Sequence, residues 1–428
     1  MGHPSGPSRM ATARMRRRTV NQPPESAPGG DGPPPRFLRP VCWELTMVNS
    51  EAVSGFDHSD AALAQWLETC LRRGLDRSAS DIHLSPGFCP YHRIHGELLP
   101  DRQSPVLEAP FLRSLAAWLL ATSRRGPLPE RGSLDGALSG PQGSRFRFNV
   151  YLRQDEWAIA LRRLENRFHS LGELGLPSDL YHLCTLHDGL ILVAGPTGAG
   201  KSTTLAALVD QINQTRRAHI ITLEDPIEYL HAPQECLVSQ RQIGADATDF
   251  HEGLVSALRQ DPDVILVGEI RDLPTMRAAL SAAETGHLVL TTIHAGDTAG
   301  AIERLVASFP AEEQPGIRQQ LSLVLRGVIA QQLLLADGPA RDPRSPRLPV
   351  VEVLMVNHGV AHLIASGKTN QLATAIETGA ADGMQSFDAH LAQLWASDQL
   401  TEATALHRAR DPQSLRDRHR LLRSSVRR

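Results

Sequence analysis

The 428-residue chain has little with which to stack bases, since Phe, Trp and Tyr together make up 4% of it. It carries no excess of positive charge either. A formal net charge of −3 and a pI near 6.7 give no global field that would draw it to nucleic acid. Long apolar runs are missing: "GLILVAG" and "DVILVG" fall far short of the ~20 residues that span a bilayer. The basic start "RMRRRTV" is not followed by an apolar stretch, so no secretory signal is read. Paired cysteines are missing too, because Cys42, Cys70, Cys89, Cys184 and Cys236 form no C-x-x-C motif. An odd, dispersed set reads as reduced thiols of a cytosolic protein, mostly packing residues. What remains is a globular chain too long for one ordinary core, with two domains plus extras as the natural expectation.

Residues 1–41 are rich in Pro, Gly and Arg ("QPPESAPGGDGPPPRFLRP") and cannot bury enough apolar surface to order themselves, so a disordered tail is expected. From 42 to 165 a helix ("SDAALAQWLETCLRRGL") leads into strands ("DIHLS", "YHRIHGELL"). A second helix and two alternating strands ("SRFRFNVYLR", "EWAIALRRL") follow. That order fits a small α+β domain. Residues 166–176 read as a connector. From 177 to 428, apolar strands alternate with helical patterns, as a parallel sheet covered on both faces requires. The Pro/Arg-rich break at 337–349 precedes a mostly helical portion from about 350.

The chemistry is concentrated in "LVAGPTGAGKSTT". Gly195, Pro196, Thr197, Gly198, Ala199, Gly200, Lys201 and Ser202 fit G-x-x-x-x-G-K-[ST] completely, between a strand-like run and a helix-like run that opens with Thr203. The glycines let backbone N–H groups turn inward around phosphate oxygens, and the helix adds its positive end. Lys201 supplies a point charge for the β and γ phosphates, and Ser202 a hydroxyl for Mg²⁺. A nucleoside triphosphate is the expected ligand. Two further strands end in carboxylates. "TLEDPIEYL" brings Glu224, Asp225 and Glu228 to a strand's C-terminal edge, where ligands sit in open α/β sheets. "DVILVGEIRD" closes on Glu269, read as a ligand to Mg²⁺ or as the base, with a buried ion pair to Arg271 as the structural alternative. His294 follows the strand of "ETGHLVLTTIHAG" on the ligand side and is expected to sense the γ-phosphate, whereas His287 stands at the opposite end. Arg145, Arg147, Arg153, Arg162 and Arg163 cluster on adjacent strands, either as a charged outer face or as groups that neutralise phosphate.

These segments, in this order, resemble the secretion and type IV pilus motor ATPases. The resemblance runs over "ASDIHL" with Arg93 and Gly96, the phosphate loop, "EDPIEY", "DPDVILVGEIRD" and "ETGHLVLTTIHA". It implies an α/β fold: a RecA-like P-loop motor domain after a smaller PAS-like α+β domain, with a helical C-terminal portion. It also implies a homohexamer that binds ATP and Mg²⁺ without structural zinc. Such a motor works in the cytoplasm at the inner-membrane face, against a platform protein of a pilus or secretion machine. By the same likeness Glu228 and Glu269 are catalytic, His294 reads the γ-phosphate, and Arg147, Arg153 and Arg162 contact nucleotide from the N-terminal domain. "RLVASFPAEEQPGIRQQL" and the C-terminal "GKTNQLATAIETGAADGMQSFDAHLAQL" look most like the PilT-type pilus retraction ATPases, which carry a segment resembling A-I-R-N-L-I-R-E where this chain has "GVAHLIASGK". Ala361, Ala365 and Ser366 stand where that segment has Arg, Arg and Glu. A type II or type IV secretion ATPase, or an accessory pilus ATPase, is the alternative within the class. A RecA-like nucleic-acid translocase is the alternative outside it.

Overall fold

In a computed structural model, residues 57–164, 168–340 and 347–426 are described; the tail expected over 1–41 and the start of the connector lie outside them. The first sheet contains β1 (Asp81–Leu84), β2 (Tyr91–Ile94), β3 (Glu97–Pro100), β4 (Ser133–Ser139), β5 (Arg145–Arg153) and β6 (Glu156–Leu164). It is antiparallel throughout, in the order β3-β2-β1-β6-β5-β4. The helices Asp60–Asp76 and Ala109–Thr122 supply Leu63, Leu67, Leu112 and Leu115 to its core. Alternation sets the two faces of β5: Phe146, Phe148 and Val150 are buried with the helices, which turns Arg145, Arg147 and Asn149 the other way.

Two details of this sheet differ from the sequence reading. "YHRIHGELL", expected as one strand, is a hairpin of β2 and β3, because His95 (φ 49°) and Gly96 (φ 90°) both take left-handed conformations and reverse the chain. Strand β4 was not recognised at all. Its central Gly136 lowers strand propensity, yet it is required there: a Cβ would stand 2.3 Å from the Phe148 ring.

The second sheet contains β7 (Gly189–Ala194), β8 (His219–Glu224), β9 (Leu237–Gln242), β10 (Val264–Val267), β11 (Leu288–Ile293), β12 (Leu325–Leu335) and β13 (Arg347–Met355). The order is β13-β12-β7-β11-β10-β8-β9, parallel except for β13. All residues of β7, β10 and β11 are buried, as strands covered on both faces must be. The segment "RLPVVEVLM", which the sequence reading divides between the Pro/Arg-rich break (to 349) and the helical portion (from about 350), is instead the antiparallel edge strand β13, and helices follow it from His358 onward. Asp272, Asp297 and Asn357 each cap a helix by accepting a backbone N–H, at 2.8, 2.6 and 3.0 Å. Among the described residues, no helix is long and apolar enough to cross a membrane.

Candidate functional site

Parallel register decides which side chains meet. Ala194 pairs with Ile293, Thr291 with Val267, and Val267 with Leu223, so β7, β11, β10 and β8 end along one edge. The residues that follow those ends are the phosphate loop, His294, Gly268-Glu269 and the Glu224–Glu228 turn. They line a single cavity of about 580 Å³ together with Ser202 and Lys201. Thr292 ties two of the strand ends by donating to the Gly268 carbonyl at 2.8 Å. Gly268 stands where many phosphate-loop enzymes have Asp, and a Cβ there would sit 3.2 Å from the Leu223 carbonyl.

The loop closes over the Lys201 side chain, whose ammonium donates to the Gly195 and Pro196 carbonyls at 2.9 Å each. Burial lowers the Lys201 pKa, and the nearby Glu269 carboxylate works against that shift. The helix Lys201–Thr215 starts directly after Gly200, which is left-handed at φ 87°. Ser202 is exposed to the cavity. Glu269 is partly buried and contacts Arg271 at 2.5 Å, while Arg271 keeps 73% of its side chain exposed. The ion pair anticipated as the structural alternative is therefore present, but at the cavity rather than in the core.

The acidic turn is more elaborate than its sequence suggested. Burial raises the Glu224 pKa, opposed by hydrogen bonds from Thr222 Oγ1 at 2.6 Å and Gln240 Nε2 at 3.1 Å. These bonds hold Glu224 in place, and both it and Glu228 line the cavity. His294 is exposed at the cavity. Its pKa is lowered by burial of the ring and by the cations Lys201 and Arg304. His287, at the other end of β11, contacts the Ala282 carbonyl at 3.0 Å and takes no part in the cavity.

The first sheet also reaches this cavity. Arg147 and Arg162 are cross-strand partners on β5 and β6, and both line it. Asp81 holds Arg162 at 2.8 Å, and Asp135 lies 3.6 Å from Arg147. Arg125 anchors the approach, donating to the Ile243 carbonyl at 2.7 Å and to Asp225 at 3.0 Å. Arg153 lies elsewhere. It sits at the β5–β6 turn, six residues and roughly 20 Å along the strand from Arg147, with its guanidinium 5.8 Å from the Phe88 ring.

Several participants had no sequence signal of their own. Tyr229 bonds Thr203 Oγ1 at 3.0 Å and so links the acidic turn to the phosphate-loop helix. Phe168, from the connector, packs on Tyr229 and His231 with ring centroids 5.7 and 4.6 Å away. Burial pushes the His231 pKa down to about 4. Arg347, at the start of β13, lines the cavity from the side of the Pro/Arg-rich break.

Comparison with known proteins gives consistent results. The family described as "Type II/IV secretion system protein" matches residues 57–341. "Uncharacterized protein YggR" of Escherichia coli (strain K12) is 43% identical over 321 residues, covering 75% of this chain and 95% of that protein. "Type IV pilus retractation ATPase PilT" of Pseudomonas aeruginosa is 38% identical over 338 residues, covering 79% and 96%. Among solved structures, the pilus retraction motor PilT with bound ADP superposes with a TM-score of 0.74 at 38% identity, over 82% of this chain and 99% of that one.

Proposed function

Since the chain belongs to the Type II/IV secretion system protein family, we propose that it is a hexameric, Mg-ATP-hydrolysing motor that powers type IV pilus retraction. It acts in the cytoplasm at the inner-membrane face. The observation that carries this reading is the meeting, at one cavity, of the phosphate loop, the carboxylates Glu228 and Glu269, His294, and two arginines from the other sheet. Secretion is the alternative use of the same machinery, supported by the breadth of the family. The likeness to retraction ATPases over nearly their full length favours the pilus.

The geometry performs hydrolysis as follows. Loop N–H groups and the Lys201 ammonium hold the β and γ phosphates. The oxygen donors at the cavity suit a hard cation: Ser202 and Glu269 would hold Mg²⁺, which supplies Lewis-acid charge on the phosphates. Among the described residues no group of three or more His, Cys, Asp or Glu is placed to hold a metal ion. Glu228 orients the attacking water and accepts its proton, and Glu269 is the other carboxylate within reach. His294 donates to the γ-phosphate and loses that contact after hydrolysis. Arg147 and Arg162 neutralise the charge that spreads over the transferring phosphoryl group, and through them the first sheet responds to its loss.

The output side lacks the charges of the retraction segment. His358–Ala365 is a helix with Val360 and Ile364 buried, and Ala361 and Ala365 on it and Ser366 at its C-cap stand in place of Arg, Arg and Glu. The test is expression in a bacterium that lacks its own retraction ATPase, scoring twitching and surface pili, with Lys201→Ala as the inactive control. Rescue by the unaltered chain is the expected result for a plain retraction motor. If rescue requires Ala361→Arg, Ala365→Arg and Ser366→Glu together, the motor is intact and its coupling has diverged. Failure of both versions overturns retraction as the output.

A further inference from the structure

The underside of the phosphate loop rests on one glutamine of β12. Gln331 is 4% exposed, and both ends of its amide are engaged. Its Nε2 donates to the Ala199 carbonyl at 2.8 Å, and its Oε1 accepts from Thr204 Oγ1 at 2.7 Å. The orientation of the amide is fixed by chemistry: a carbonyl can only accept, so nitrogen faces Ala199 and oxygen faces the hydroxyl. Contact continues along the loop. A Cβ on Gly195 would lie 2.4 Å from the Gln331 carbonyl, and one on Gly200 would lie 2.8 Å from its Nε2. Two glycines of the motif are therefore needed for the approach of this strand as well as for the phosphates.

We propose that Gln331 is a positioning residue for nucleotide binding, acting through the Ala199–Gly200 peptide. A trans peptide directs its C=O and its N–H in opposite directions. When Gln331 holds the Ala199 carbonyl on the strand side, the Gly200 N–H is aimed away from the strand, toward the phosphates. Ala199 is 2% exposed, so its carbonyl has no water to turn to if the amide is removed. Thr204, itself 1% exposed and one turn into the helix, keeps the amide from rotating. β12 pairs with β7 directly, Ala330 beside Ala194, so the support is built into the sheet rather than into a mobile loop. The inference rests on the nucleotide site proposed above and adds a residue about 130 positions away from the motif.

Three variants test it, each measured for ADP affinity by calorimetry, for kcat and KM with ATP, and for thermal midpoint. Gln331→Glu, assayed at a pH where the carboxylate is ionised, keeps an acceptor for Thr204 but cannot donate to Ala199. It favours a flipped peptide whose N–H points at the carboxylate. Gln331→Met removes both bonds at similar volume, and Thr204→Val frees the amide to rotate. The expected order of lost ADP affinity is Gln331→Glu, then Gln331→Met, then Thr204→Val. The first loses about ten- to hundredfold, the range for one hydrogen bond to a charged group. KM should rise in the same order, with kcat at saturating ATP changing less. A purely structural role would lower the thermal midpoint and leave affinity of the folded protein unchanged, and that result overturns the inference. If Gln331→Glu does not fold, the other two decide by the same criterion. If the wild-type chain hydrolyses no ATP, the motor reading fails, while ADP affinity still decides the role of Gln331.

Discussion

Lys201→Ala is expected to abolish ATP turnover, by ~10³-fold or more, the scale of removing a cation aimed at the transferring phosphoryl group. The ammonium is already held against the loop by the Gly195 and Pro196 carbonyls, which keeps it within the cavity. Phosphate oxygens offer it full negative charge in place of two carbonyl dipoles. Alanine removes the charge and leaves those carbonyls lining the site, so nucleotide binding should weaken along with turnover. Steady-state phosphate release by the purified variant checks this, and normal turnover would remove Lys201 from the mechanism.

The second large effect separates binding from chemistry. Glu228→Gln and Glu269→Gln keep the size of each side chain and abolish its charge. Both should retain nucleotide yet lose at least ~10²-fold in kcat, the scale of general acid–base or water-positioning roles. The two need not behave alike. Glu269 is engaged with Arg271 and faces Lys201 electrostatically, whereas Glu228 stands beside Glu224, whose pKa burial raises. If Glu228 is the base, its glutamine variant should fail at every Mg²⁺ concentration, while the Glu269 variant should improve as Mg²⁺ rises. Kinetics across a Mg²⁺ titration distinguish them, and a variant that turns over normally marks its residue as structural.

The parts of the site legible in sequence were those encoded locally. A phosphate loop needs its glycines, lysine and serine in eight consecutive residues, and its strand and helix flank it directly, so nothing distant has to be known. Glu228, Glu269 and His294 were legible because each follows an apolar run, and parallel register then aligns run ends on one edge. Side chains that arrive from elsewhere carried no such mark. Five arginines on two adjacent strands look equivalent in sequence. Register pairs Arg147 with Arg162 at the cavity and leaves Arg153 at the far turn against Phe88. Gln331 shows the same limit, since it reads as a polar interruption in an apolar strand until the strand is placed beneath the loop. Strand β4 was hidden by a glycine whose need comes from a ring on the neighbouring strand.

The most direct measurement of the account as a whole is ATP turnover by the purified wild-type chain as Mg²⁺ is added at fixed ATP. The account predicts negligible phosphate release in chelator, a rise to saturation as Mg-ATP forms, and activity per subunit that grows with protein concentration as hexamers assemble. Turnover that ignores Mg²⁺, or no turnover at any protein concentration in a chain that binds ATP, would contradict it.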